Sequence, residues 1–193
     1  MVTDIPPLAI VQARMGSTRM PNKMIRPLAG RPLIWWAWRR AVEAFGEDNV
    51  VVAMPASEEN NVLAEMVKNF GGKVFRWNGD ENDVLGRFYY CAHSLRWHPS
   101  SVICRVTPDD PRKDPKLMKE VSWGVRHPVE LSCEATTLQE LSILHATVTE
   151  LEAREHLTLI LSPVPPPAAP AGVWTVDTEF QLAAIEKRMK EGV

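Results

Sequence analysis

Short apolar runs alternate with helix-spaced patterns along the first two thirds of the chain. Leu8 to Ala13, Asn49 to Met54, Lys73 to Arg76 and Ser101 to Thr107 read as strands, rich in β-branched residues and bounded by turn formers. Pro32 to Phe45 and Glu58 to Phe70 read as helices, with Pro32 tolerated in a first turn and Ser57 as an N-cap. Beyond Asp80, read as the next cap, Val84, Leu85, Phe88, Cys91, Ala92 and Leu95 recur at helical spacing. A helix is also predicted from Pro115 to Val125. A chain that runs strand, helix, strand, helix lays its strands mostly parallel and packs helices on both faces. The expected class is a three-layer α/β/α fold with a mostly parallel sheet.

The last third is less regular. Leu138 to Ala153 reads as one helix. Ser162 to Gly172, "SPVPPPAAPAG", is a connector whose prolines can neither continue a helix nor join a sheet. "VWTVD" reads as one more strand, and Thr178, with Gln181 at capping-box spacing, starts a final helix. There is no internal repeat. A length of 193 residues suits a single domain over the whole chain.

A net charge of −2 gives no global signature of nucleic-acid or membrane binding, so neither partner is expected. No apolar run approaches a membrane span, and the first ten residues lack the basic start of a signal peptide. The three cysteines, Cys91, Cys104 and Cys133, lie far apart without metal-site spacing. They read as buried thiols of a cytoplasmic protein.

The first strand empties into "ARMGSTRMPNKMIR", with Arg14, Arg19, Lys23 and Arg26 around Gly16 and Ser17. In open α/β sheets, ligands bind beyond the carboxyl ends of the strands. Gly16 lets the backbone approach an oxyanion, Arg14 and Arg19 can chelate phosphate oxygens, and Lys23 adds a mobile point charge. That suits a triphosphate. The segment is neither a Walker A loop nor GxGxxG, and taken alone it fits an anion site or a solvated basic loop. Past the fourth strand, Asp109 and Asp110 suit Mg²⁺ or an ordinary turn. Asp177, before the last helix, suits a metal or the helix dipole. One cationic and two acidic strand ends together would make a metal–triphosphate cradle.

Several stretches carry a resemblance. "AIVQARMGSTRMPNKMIRPLAGRPLI" resembles the opening of the sugar-acid cytidylyltransferases, especially the spore-coat polysaccharide type. "ENDVLGRF" resembles that type's DVL-x-RY segment, and "RVTPDDPRKDP" its RITGDCPLIDP loop. "AREHLT" and "WTVDTEFQL" match in order. The resemblance implies a Rossmann-like nucleotidyltransferase fold and an enzyme, usually dimeric, that uses CTP and Mg²⁺ to make a CMP-sugar and pyrophosphate. It implies that Arg14, Ser17, Arg19 and Lys23 hold the phosphates, with Gly16 and Thr107 completing the nucleotide site. Ala13 and Ala53 would approach the cytidine, and Asp109 and Asp177 would bind the metal. Arg14, Lys23 and Asp109 form its catalytic group, while Arg87, Glu134, Arg154 and His156 are its sugar-side candidates.

The chain departs from that pattern in three ways. Pro108 replaces a glycine, and Asp110 stands where a neutral residue is usual, adding a charge that raises one carboxylate's pKa or strengthens metal binding. The region from Asp114 to Glu134, which normally helps form the sugar pocket and dimer contact, is shortened. A transferase using another nucleoside triphosphate and an inactive nucleotide-binding homologue are the rival readings. Structural alternatives stay open for His156 and for Arg87, which fits a solvated helix face equally well. Trp35, Trp36 and Trp38 read first as core and second as a subunit interface.

Overall fold

The computed structural model describes residues 5–96, 98–161 and 167–191. Its centre is a five-stranded sheet built from β1 (Leu8–Gln12), β4 (Val50–Pro55), β5 (Lys73–Trp77), β6 (Val102–Val106) and β7 (Glu134–Thr137). The spatial order is β5-β4-β1-β6-β7. The first four strands run parallel, and β7 returns antiparallel to β6. A two-residue pair, β2 (Pro27–Leu28) and β3 (Arg31–Pro32), forms a separate hairpin. Its turn places Ala29 at φ 47° and Gly30 at φ 80°, and positive values at both central positions are what a tight hairpin requires.

Strand pleat explains the layers. Ala9 and Val11 face one core, Leu8 and Ile10 the other. Against the first pack α1 (Leu33–Phe45), α2 (Asn61–Asn69), α4 (Pro115–Ser122) and α8 (Glu179–Glu191). Against the second pack α3 (Val84–Leu95), α5 (Leu138–Thr147) and α7 (Thr158–Leu161); the short α6 (Leu151–Glu155) adjoins α3. Phe88 of α3 is fully buried there, and one such side chain contributes about 1.5–3 kcal/mol. Trp38 belongs to the first core, stacked at a tilt on Phe70 with centroids 4.6 Å apart. Trp36 donates to the Leu28 carbonyl at 2.9 Å and ties the hairpin to α1. All three cysteines are buried and free.

Several predicted elements differ. "VWTVD" forms no strand; Val176 N–H donates instead to the Asp109 carbonyl, in the loop after β6, at 2.9 Å. The strand that completes the sheet is β7, which the sequence reading omitted. The single helix expected from Leu138 breaks at Val148, whose ψ of 114° is extended, in a β-branched run of Thr147, Val148 and Thr149. Asp83, not Asp80, caps α3: its carboxylate accepts from Gly86 N–H at 2.8 Å, while Asp80 accepts from Asn82 N–H. The helix after Ser57 opens with a 3₁₀ turn, Glu58–Asn60, and α4 stops at Ser122, short of Val125. Residues 162–166 of the proline-rich connector lie outside the described residues; 167–172 carry no helix or strand.

Candidate active site

The strand order reverses beside β1, and there the carboxyl ends of β1 and β6 open a cleft of about 340 Å³. The cationic loop follows β1 into this cleft. Arg14, Arg19 and Lys23 are each followed by a methionine, and Met15, Met20 and Met24 are buried in the α1-side core. These anchors fix the loop while the cations between them face the cleft. Met15 N–H also donates to the buried Asn60 side chain at 2.9 Å. Gly16 has no left-handed backbone angle; a Cβ there would lie 2.9 Å from Glu81 Oε1, the movable end of a partly exposed side chain.

At the cleft floor, Lys23 Nζ lies 3.3 Å from Asp109 Oδ2, 3.0 Å from Asp177 Oδ1 and 2.8 Å from the Val176 carbonyl. The lysine side chain is 9% exposed. Arg19, 71% exposed at the rim, reaches the other oxygen of Asp177 at 3.0 Å. Arg14 donates to Asn82 at 2.9 Å and faces Glu81 and Glu155 at 3.6 and 3.5 Å. Two carboxylates and a carbonyl thus already surround one cation. Such hard oxygen donors suit Mg²⁺, which takes one or two carboxylates and completes its shell with phosphate and water. Among the described residues no group of three or more His, Cys, Asp or Glu could hold a metal by itself.

Asp110 turns away from the cleft. Its carboxylate accepts from Thr107, from Thr175 Oγ1 at 2.6 Å and from Lys113 Nζ at 3.2 Å. Both members of the Asp110–Lys113 pair are almost fully buried, and burial is the main force raising the Asp110 pKa, with Asp109 adding to it. Asp110 therefore ties the loop carrying Asp109 to the segment carrying Asp177. Gln181 finishes the arrangement by accepting from Asp177 N–H at 2.7 Å.

Ala13, Gly16, Ser17 and Thr107 line the cleft. Ala53 does not; its carbonyl accepts from Ala13 N–H at 3.0 Å. Arg87 and His156 also line the cleft. Arg87 is buried, not part of a solvated face; Nη1 donates to the Glu81 carbonyl at 3.0 Å and Nε has no partner. Burial, reinforced by Arg14, pulls its pKa down to about 10. Glu134 and Arg154 stand behind the lining. Glu134 pairs with Arg105 at 1% side-chain exposure. Arg154 grips both oxygens of Asp83 at 3.0 and 2.8 Å and donates to the Val148 carbonyl.

Gln12 and Arg105 also line the cleft, and the sequence reading missed both. Arg105 Nε donates to Gln12 Oε1 at 3.0 Å, and Gln12 Nε2 to the Val84 carbonyl at 3.2 Å. A polar row thus crosses the sheet from α3 to β7. The available signal was polarity inside apolar strands, "LAIVQ" and "VICRV".

Cations over paired aspartates, at the switch point of a parallel sheet, place this chain among the nucleotidyltransferases by fold. Comparison with known proteins narrows the class: the chain belongs to the cytidylyltransferase family, whose sequence profile matches residues 8–159. It is 39% identical over 115 residues to the spore coat polysaccharide biosynthesis protein SpsF of Bacillus subtilis, covering 58% of this chain and 46% of that one. It is 31% identical over 156 residues to the 3-deoxy-manno-octulosonate cytidylyltransferase of Parvibaculum lavamentivorans, covering 80% and 55%. A solved cytidylyltransferase from Leptospira borgpetersenii serovar Hardjo-bovis superposes with a TM-score of 0.77 at 21% identity, covering 97% of this chain and 95% of that one. The chain spans about half to two thirds of the length of the curated relatives it matches. Among the described residues no helix is long and apolar enough to cross a membrane.

Proposed function

We propose that this chain transfers CMP from CTP to a hydroxyl of an acidic sugar, of octulosonate or acylneuraminate type, for surface polysaccharide synthesis in the cytoplasm. The observation that carries this reading is the convergence of Asp109 and Asp177 on Lys23 beneath a rim of Arg14, Ser17 and Arg19. By resemblance the working unit is a homodimer.

The acceptor hydroxyl attacks the α-phosphorus of CTP in line. The bond from that phosphorus to the bridging oxygen breaks, pyrophosphate leaves, and the hydroxyl proton passes to water. Positioning and charge neutralisation carry such a step. Arg14, Ser17 and Arg19 would hold the outer phosphates, and Lys23 would face the charge building on the leaving group. Asp109 and Asp177 fit Mg²⁺, which when bound supplies neutralisation of the phosphate oxygens. Arg87 and His156 would meet the sugar. Glu134 and Arg154 would act behind them, through Arg105 and Asp83.

The test is pyrophosphate release with CTP, Mg²⁺ and a panel of sugar acids. The expected outcome is turnover with CTP well above that with ATP, GTP or UTP. Turnover with a different triphosphate would reassign the base. Binding of CTP with no turnover on any acceptor would make this an inactive nucleotide-binding relative.

A further inference from the structure

The segment from Trp174 to Asp177 belongs to no strand or helix, yet it brings Asp177 onto the same ammonium as Asp109. Backbone bonds fix its middle. Val176 N–H donates to the Asp109 carbonyl at 2.9 Å, and the Val176 carbonyl accepts from Lys23 Nζ at 2.8 Å. The residue before it is held through its side chain. Thr175 Oγ1 donates to Asp110 Oδ1 at 2.6 Å, and among the described residues nothing else donates to that oxygen. Oδ2 accepts from Thr107, just past β6, and from Lys113 Nζ at 3.2 Å. Lys113 in turn donates to the Val129 carbonyl at 2.7 Å, in the connection between α4 and β7.

Asp110 is 4% exposed and Lys113 1%. An apolar pair of similar bulk would hold the fold as well as these two charges do. What the charges add is direction, because a carboxylate out of water must keep each oxygen on its donor. Thr175 is therefore fastened to an acceptor that is itself held from two sides. Among the described residues the Asp177 carboxylate meets only the side chains of Lys23 and Arg19. Its aim is set by the backbone, held on one side by Gln181 and on the other by Thr175.

We propose that Thr175, through Asp110, is a positioning residue for Asp177, and that its hydroxyl sets how strongly a divalent cation and CTP favour each other in the cleft. This role rests on the transferase reading above, in which Asp109 and Asp177 fit Mg²⁺. Groups that orient a metal-binding side chain from behind typically control about 10–100-fold in metal affinity.

The test needs neither acceptor nor turnover. CTP affinity is measured by calorimetry with and without saturating Mn²⁺, and the ratio of the two is the coupling between cation and nucleotide. The parent should bind CTP more tightly with Mn²⁺. Thr175→Val keeps the bulk and loses the hydroxyl; it should cut the ratio about tenfold while metal-free CTP affinity stays within about twofold, which also shows that the variant is folded. Thr175→Ala is read in the same way, and Thr175→Ser should restore the ratio. In an Asp177→Asn background Thr175→Val should remove little more, because both changes act on one carboxylate. A lower melting temperature with an unchanged ratio would mean a role in stability alone and overturns the positioning role. So does an equal loss of metal-free affinity, or a loss that adds in full to that of Asp177→Asn. No effect of Mn²⁺ on the parent would sink the metal role of the aspartates and this one with it; an effect that survives in Thr175→Val sinks this one alone.

Discussion

Asp109 and Asp177, from opposite ends of the fold's second half, share one ammonium: Lys23 Nζ bonds Oδ2 of the first and Oδ1 of the second. Removing that ammonium leaves two carboxylates facing each other without their counter-ion. Lys23→Met should lower the rate of pyrophosphate release by about 10²–10³, the usual cost of one preorganised electrostatic contact. Lys23→Arg should not restore it, because a planar fork cannot occupy the point between the two carboxylates and the Val176 carbonyl. Unchanged circular dichroism would show that the fold survives.

The buried Asp110–Lys113 pair predicts an asymmetric mutational pattern. Asp110→Ala strands a buried ammonium and should cost about 3–5 kcal/mol in denaturant unfolding. The double change Asp110→Cys with Lys113→Ile restores the residues of the neutral family pattern. It should return stability to within about 1.5 kcal/mol of the parent or above it. The folded pKa of Asp110 is raised, so between the unfolded and folded values the native state binds more protons. Parent stability should therefore fall as pH rises through that window, and the double variant should lack this component.

Arg154 separates holding from sugar contact. Its two bonds to Asp83 fasten α6 to the cap of α3. Arg154→Met should lower the melting temperature, with a cost of about 1.5–3 kcal/mol for losing charged hydrogen bonds. If its effect runs only through Asp83, Asp83→Asn should lower stability in the same sense, and the double variant should add little to the larger single effect. A rise in acceptor KM at unchanged stability would instead mean direct contact with the sugar.

His145 stacks on Tyr89 with centroids 4.0 Å apart and planes within 7°. Burial is the first cause lowering its pKa, followed by the charge of Arg154. The neutral ring is favoured in the fold, so the unfolded state takes up its proton first. Its contribution is complete above the unfolded value, about 6.5, and declines as pH falls towards the lower folded value. Unfolding curves from pH 7 to 5 should show this slope in the parent and lose it in His145→Phe.

Where the sequence carried its own period, structure was legible. β-branched runs gave four strands, and cations beyond the first of them marked the loop whose Lys23 and Arg19 reach the cleft. The misses are nonlocal. β7 is the short polar stretch "EATT", defined by pairing with β6 and by Glu134 meeting Arg105. "VWTVD" has a strand's alternation but docks through Val176 and Thr175 onto the aspartate loop. Nothing near Arg154 reveals a partner 71 positions away, and nothing near Arg87 reveals that its helix face is the buried one.

The family profile ends at residue 159, yet one of the two floor carboxylates is supplied by Asp177. Severing the chain ahead of Trp174 would spare every strand, yet it would take away half of the acidic pair together with Val176, Leu182 and Ile185 of the α1-side core. The acidic pair on the cleft floor is thus completed by a C-terminal strap docked on the aspartate loop, outside the strands of the three-layer fold.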